Sequence, residues 1–139
     1  MTFMLSLITA FLMTLQTPAA IRSIDKGLDS QMDAARQATA RTAAEWEALW
    51  RLHGGERTRP AVDFGKEIVV AVFMGSRPSA GFSVEIVGTR VDGPALVVQY
   101  RETRPAPDAF VAQVLTVPYH IAAVPRRAGV TDVRFEKIP

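Results

Sequence analysis

An apolar run without interruption, Ile68–Phe73, leads directly into Met74-Gly75-Ser76-Arg77-Pro78-Ser79-Ala80-Gly81-Phe82, and then into the alternating segment Phe82-Ser-Val84-Glu-Ile86. This order predicts strand, tight loop, strand. Gly75 and Gly81 bracket the loop and Pro78 fixes one backbone angle inside it. Arg77 is its only charge. A rigid loop with a single cation suits binding another molecule better than performing chemistry.

The texture after Pro60 extends the β reading. Ile68–Met74, Phe82–Val91, Ala95–Tyr100, Phe110–Val117 and Val130–Phe135 are rich in Val, Ile and aromatics. Asp92-Gly93-Pro94 is a hairpin signal, and Arg104-Pro-Ala-Pro107-Asp is a stiff connection. Thr42–His53 is the clearest helix. Thr42-Ala-Ala-Glu45 forms a capping box, Trp46, Leu49, Trp50 and His53 make one apolar stripe, and Gly54-Gly55 ends it. A stripe with two tryptophans reads as core. The expected class is therefore α+β: an antiparallel sheet of five or more strands with one early amphipathic helix packed on it. Gln31–Arg41 fits helix by its alanines and strand by its weak alternation.

The first twenty residues contain no charged side chain, and Phe3–Leu15 is apolar throughout most of its length. That length falls inside the roughly 7–15 residues of a secretory signal core and short of the about 20 needed to span a membrane. Thr17-Pro18-Ala19-Ala20 offers small residues for cleavage. The expected organisation is a signal peptide over 1–20, a linker or edge strand over 21–30, and a single α+β domain over 31–139. The chain has no cysteine, so neither a lipid-anchoring thiol nor a disulfide is available. The expected location is periplasmic or extracellular, without a stable membrane span after cleavage and not as a lipoprotein. The formal net charge is +2, with Arg residues scattered from Arg36 to Arg104. Without a basic run interleaved with aromatics, nucleic acid is not an expected partner.

Catalytic patterns are sparse. Ser79 lacks the glycine two positions earlier that a nucleophile elbow needs. Ser23-Ile-Asp-Lys26 has the Ser-x-x-Lys spacing without its companion motifs. His53 and His120 have no His or Cys at ligand spacing, whereas a zinc site needs three or four ligands. His53 is read as closing the helix stripe and His120 as packing or hydrogen-bonding within a strand. Gly75 to Gly81 lacks the Gly-Lys-Ser/Thr ending of a phosphate loop. No cofactor, no metal site and no enzymatic activity are expected.

Several blocks, in order, resemble the domain family named for the protease-complex subunit PrcB, in its C-terminal type. Glu45-Trp46-Glu-Ala-Leu49-Trp50 with His53 is similar to the family's Glu-Trp-x-x-Leu-Trp-x-x-His helix. Pro60-Ala-Val62-Asp63-Phe64 and Ile68–Phe73 are similar to its Pro-x-Val-Asp-Phe and buried strand. Gly75-Ser-Arg77-Pro78-Ser-Ala-Gly81-Phe82-Ser-Val84 resembles its Gly-x-Arg-Pro-Thr-Gly-Gly-Tyr-x-Val loop. Gln113–Thr116 with Pro118-Tyr119-His120-Ile121 through Pro125 resembles its closing strand, and Val133-Arg-Phe135 its terminal Val-x-Phe. The resemblance covers roughly Gly27 to Phe135. Ala80 stands where the family has a glycine, implying an ordinary backbone angle there, and Phe82 replaces a tyrosine and its hydroxyl.

The resemblance implies a non-catalytic accessory role, since the family's namesake resembles an accessory subunit of a surface protease complex. The loop is also similar, over a few residues, to the Pro-Thr-Thr-Gly-Tyr loop of chagasin-type peptidase inhibitors. The expected function is an exported, non-enzymatic domain that binds a protein partner, a protease being one candidate. The expected partner-binding residues are Gly75, Arg77, Pro78, Gly81 and Phe82, with Tyr119 and His120 as neighbours beside Pro118. The alternatives are a peptidase-inhibitor-like module, an envelope small-ligand-binding protein, or a hydrolase with an interior pocket.

Overall fold

The computed structural model describes residues 21–139; the leader expected over 1–20 lies outside the described residues. In chain order the elements are β1 (Arg22–Gly27), β2 (Arg36–Ala40), α1 (Ala43–Gly54), β3 (Glu67–Phe73), β4 (Ser83–Asp92), β5 (Ala95–Thr103), β6 (Tyr119–Pro125) and β7 (Asp132–Lys137). They form a four-stranded sheet in the order β1-β6-β3-β2 and a three-stranded sheet in the order β4-β5-β7. The class is α+β with an early helix on one sheet face, as expected. The second sheet, on the opposite face of the first, adds a layer.

Helix α1 forms where its sequence signals place it. Thr42 Oγ1 accepts from Glu45 N–H at 3.2 Å, and Glu45 Oε2 accepts from Arg41 N–H at 2.9 Å. The acid thus reaches back one residue beyond the cap itself. Gly55, at φ 61°, ends the helix with its N–H on Arg51 O at 3.2 Å. The stripe of Trp46, Leu49, Trp50 and His53 is buried against the four-stranded sheet. It meets Val69, Ala71, Phe73, Tyr119 and Ile121. Both indole N–H groups are satisfied, Trp46 by Pro60 O at 2.9 Å and Trp50 by Arg57 O at 2.8 Å.

The apolar run of β3 has a physical reason in this layering. Val69, Ala71 and Phe73 point to the helix, while Ile68, Val70, Val72 and Met74 point to the second sheet. A strand covered on both faces has no polar side to show. Strand β6 is its neighbour, paired antiparallel from Glu67↔Pro125 to Phe73↔Tyr119, and is also buried on both faces. Ala122 and Val124 pack with Val84, Ile86, Leu96, Val98 and Tyr100 of the second sheet.

Two local expectations are corrected and one open alternative is settled. The strand expected over Phe110–Val117 is absent: this segment has only isolated bridges at Thr116 and Val117, and the strand is β6. Phe110, Val114 and Leu115 are exposed rather than alternating between core and solvent, so nothing pairs them into a sheet. The sheet is not wholly antiparallel, because β5 and β7 pair in parallel. The chain leaves β5 to build β6 in the other sheet and comes back beside β5 in the same direction. Residues Arg22–Gly27, read as linker or edge strand, are an edge strand on β6.

Candidate functional site

The loop between β3 and β4 is held from both sides. Gly75 and Gly81 have φ of 74° and 94°, and among the described residues only glycines have positive φ. Ala80 accordingly keeps an ordinary angle. Ser76 N–H donates to Asp33 O at 2.9 Å, and Arg77 and Thr116 exchange backbone hydrogen bonds at 2.7 and 3.0 Å. Ala80 N–H donates to Ala112 O at 3.0 Å, and Thr116 Oγ1 donates to Ser79 O at 2.9 Å. The loop is thus stapled to the Asp33–Ala35 segment on one side and to the long β5–β6 connection on the other.

Within it, Ser76 and Pro78 are exposed and Ser79 is buried. Arg77 is half-buried, its guanidinium carbon 5.6 Å from the centroid of the half-buried Phe82 ring. Arg77 Nε is buried with no hydrogen-bond partner among the described residues. The loop therefore brings Gly75, Arg77, Pro78, Gly81 and Phe82 together. Tyr119 and His120 do not join them on a surface. Both are buried, and as consecutive residues of β6 they point to opposite faces of the sheet. What borders the loop instead is the β5–β6 connection. Its Phe110 is fully exposed at 106%, Leu115 at 72% and Val114 at 53%. Gly81 lies against Pro105 and Val111 of the same connection.

Tyr119 and the two histidines belong to polar networks that tie β1 to the core. On the helix side His53 is fully buried. Its Nε2 lies 2.9 Å from Asp25 Oδ2 and its Nδ1 2.8 Å from Ser30 Oγ. Tyr119 O–H donates to Asp25 Oδ1 at 2.8 Å, Met32 N–H donates to Ser30 Oγ at 3.0 Å, and Arg57 stands 3.6 Å from Asp25. An ionised carboxylate can only accept, so Nε2 carries the ring proton and Nδ1 accepts from the serine hydroxyl. Burial holds the His53 pKa below the usual imidazole value, against the opposing pull of Asp25. Burial and the Asp25 carboxylate raise that of Tyr119 far above the usual phenol.

On the other side His120 Nδ1 accepts from Ile86 N–H at 2.8 Å, and its Nε2 meets Ser23 Oγ at 2.9 Å. Burial, then the charge of Lys26, lowers its pKa. Ser23 and Asp25 would share a face in a regular strand. The register of β1 on β6 slips between them, so each reaches a histidine on a different face of the sheet.

Ser30, His53 and Asp25 form a hydrogen-bonded chain of the kind that activates a serine nucleophile. Its orientation argues against that use. Ser30 is 5% exposed and its oxygen is occupied by a backbone N–H, whereas the Asp25 side chain at the far end is 22% exposed. The nucleophile sits at the sealed end. Sequence reasoning missed the chain because Asp25 and His53 lie far apart in sequence and carry no motif spacing.

An α+β domain of helix, sheet and sheet, presenting one stapled loop, is the class that this architecture defines. Residues 68–125 match the family model described as PrcB C-terminal, so the chain carries that segment from β3 through β6, loop included. Helix α1 and strands β1, β2 and β7 lie outside the match. No curated protein and no solved structure matches the chain. Among the described residues no helix is long and apolar enough to cross a membrane.

Proposed function

We propose that this chain is an exported, non-enzymatic accessory domain that binds a protein partner through the Gly75–Phe82 loop and the Phe110–Leu115 segment stapled to it. A protease is the first candidate, from the resemblance to a protease-complex subunit. The observation that carries this reading is the exposure of Phe110, Val114 and Leu115 together beside a loop whose backbone is already fixed. Large apolar side chains grouped at a surface favour an interface. A loop ordered before binding loses little conformational entropy on binding. Arg77, half-buried and the loop's only charge, supplies a charge-assisted hydrogen bond to a partner carbonyl or carboxylate through the part of its guanidinium left at the surface. The uncharged leader supports secretion to the periplasm or beyond, and the absence of cysteine an unlipidated form.

The test is photo-crosslinking in the native envelope, with a reactive side chain placed at Pro78 or at Leu115. Both positions are expected to capture the same protein, and Val91, exposed at the far end of β4, is expected to capture none. Capture of different proteins from positions 78 and 115, or of nothing from either, would reject the surface. A second reading, serine hydrolysis, is favoured by the Ser30–His53–Asp25 chain alone. Labelling of Ser30 by a fluorophosphonate, lost in Ser30→Ala, would establish it in place of the binding role.

A further inference from the structure

Among the described residues the two sheets leave four free edges, β1 and β2 in one and β4 and β7 in the other. Exposed edges invite pairing with another chain, and proteins blunt them with bulges, charges or covers. Three of these edges are blunted. Strand β1 is bulged between Ser23 and Asp25 and carries Arg22, Asp25 and Lys26. Strand β4 is irregular between Ile86 and Gly88, and the Ile86 N–H is occupied by His120. Strand β7 carries Asp132, Arg134, Glu136 and Lys137.

Strand β2 is the exception. It pairs with β3 in unbroken register from Arg36↔Phe73 to Ala40↔Val69. Its sequence, Arg-Gln-Ala-Thr-Ala, has one charge, and its last three side chains are small. Alternate residues of an edge strand point both backbone groups away from the sheet. Among the described residues no backbone or side-chain group accepts or donates to those of Arg36–Ala40 apart from β3. An open depression of about 380 Å³ flanks the strand on each face. One is lined by Arg36, Glu45, Ala48 and the 52% exposed Leu52 on the helix side. The other is lined by Gln37, Val72 and Tyr100 on the side of the second sheet.

We propose that β2 is a homodimer interface, where two copies pair their β2 edges antiparallel and join their four-stranded sheets into one. The charge pattern favours a second copy as the occupant. Arg36 starts the strand, and Glu45 stands at its other end, bonded to Arg41 N–H, the residue after Ala40. Antiparallel pairing about Ala38 brings Arg36 opposite Ala40 of the second copy, beside that copy's Glu45. The same contact recurs across the two-fold axis, so one arginine and one acid make two complementary pairs. Both helices then lie on one face of the joined sheet, and each Leu52 gains apolar cover. This inference is independent of the loop reading and uses a different edge of the molecule.

The absence of native cysteine makes the test direct. Protein expressed from the full chain and purified is expected to have twice the monomer mass by light scattering. Arg36→Glu, which turns both pairs into like-charge contacts, is expected to raise the dimer Kd by about tenfold or more. Ala38→Cys is expected to form a disulfide-linked dimer on mild oxidation. So is the double variant Gln37→Cys/Thr39→Cys, which places its thiols on the opposite sheet face. Leu115→Cys, on the loop side, is expected to stay monomeric under the same treatment. A monomer at every concentration overturns the proposal. So does a dimer that crosslinks through Leu115→Cys while both β2 variants remain unlinked.

Discussion

Gly75 and Gly93 have similar backbone angles, φ 74° and 59°, and very different surroundings. A Cβ on Gly75 would lie 2.7 Å from Ala35 N and 2.8 Å from Asp33 O, both backbone atoms. A Cβ on Gly93, in the β4–β5 turn, would meet nothing within 4 Å. Gly93→Ala therefore pays only the left-handed strain, about 1–2 kcal/mol. Gly75→Ala pays that strain plus the displacement of a neighbouring segment, and is expected to exceed Gly93→Ala by at least about 1 kcal/mol. Urea midpoints of the two variants check this, and equal losses would mean that the Asp33–Ala35 segment yields freely. Both glycines were legible in the sequence as turn residues. That one is also a packing residue was not, because Asp33–Ala35 is remote in sequence.

Helix α1 owes its position to its tryptophans. Trp46 and Trp50 are 2% and 5% exposed and pack edge-on, with ring centroids 5.5 Å apart. Trp50 is in turn 5.2 Å from the His53 ring. Trp46→Ala and Trp50→Ala are each expected to cost about 3–5 kcal/mol, through lost burial and the cavity left between helix and sheet. Denaturant unfolding of each variant measures it, and midpoints near wild type for both would place the helix loosely on the sheet. At this scale the sequence was most readable where a periodic stripe met a cap, as at Thr42–His53. It was least readable at Phe110–Val117. There, clustered apolar residues imitate a strand, but the chain is pinned only at separate points, Ala112, Thr116 and Val117, and Phe110, Val114 and Leu115 turn outward.

Across the whole molecule, β1 is latched to the sheet by a histidine on each face, and this makes stability depend on pH. His53 faces Asp25, Asp29, Arg57, Tyr119 and Ser30, and His120 faces Ser23, Lys26, Glu85 and the Ile86 N–H. Both folded-state pKa values lie below the ordinary imidazole value, chiefly through burial. The unfolded chain therefore takes up protons first as pH falls. The stability that the two neutral rings contribute is complete above about pH 6.5 and is lost progressively below it, through the folded pKa values. Protonating His120 Nδ1 would also set an N–H against the Ile86 N–H. The melting temperature is expected to drop between about pH 7 and about pH 5, and to drop less in His120→Gln. A profile that is flat over that range, or that His120→Gln leaves unchanged, would assign the acid response elsewhere.

The sequence by itself determined the elements whose signals are local: the capped helix, the strand–loop–strand at Ile68–Ile86, the hairpin at Gly93, and the likeness to PrcB C-terminal domains. These follow from side-chain period and backbone restriction over a few residues, which neighbours in sequence enforce on one another. The tertiary structure alone decided that β3 and β6 are covered on both faces, that β7 runs parallel to β5, and that Asp25, Ser30, His53 and Tyr119 share one network. It also left Phe110–Leu115 exposed beside the loop. Each of these depends on residues tens of positions apart meeting across layers. The energy that selects such meetings, burial of apolar area and satisfaction of buried polar groups, is a property of the assembled core and not of any segment.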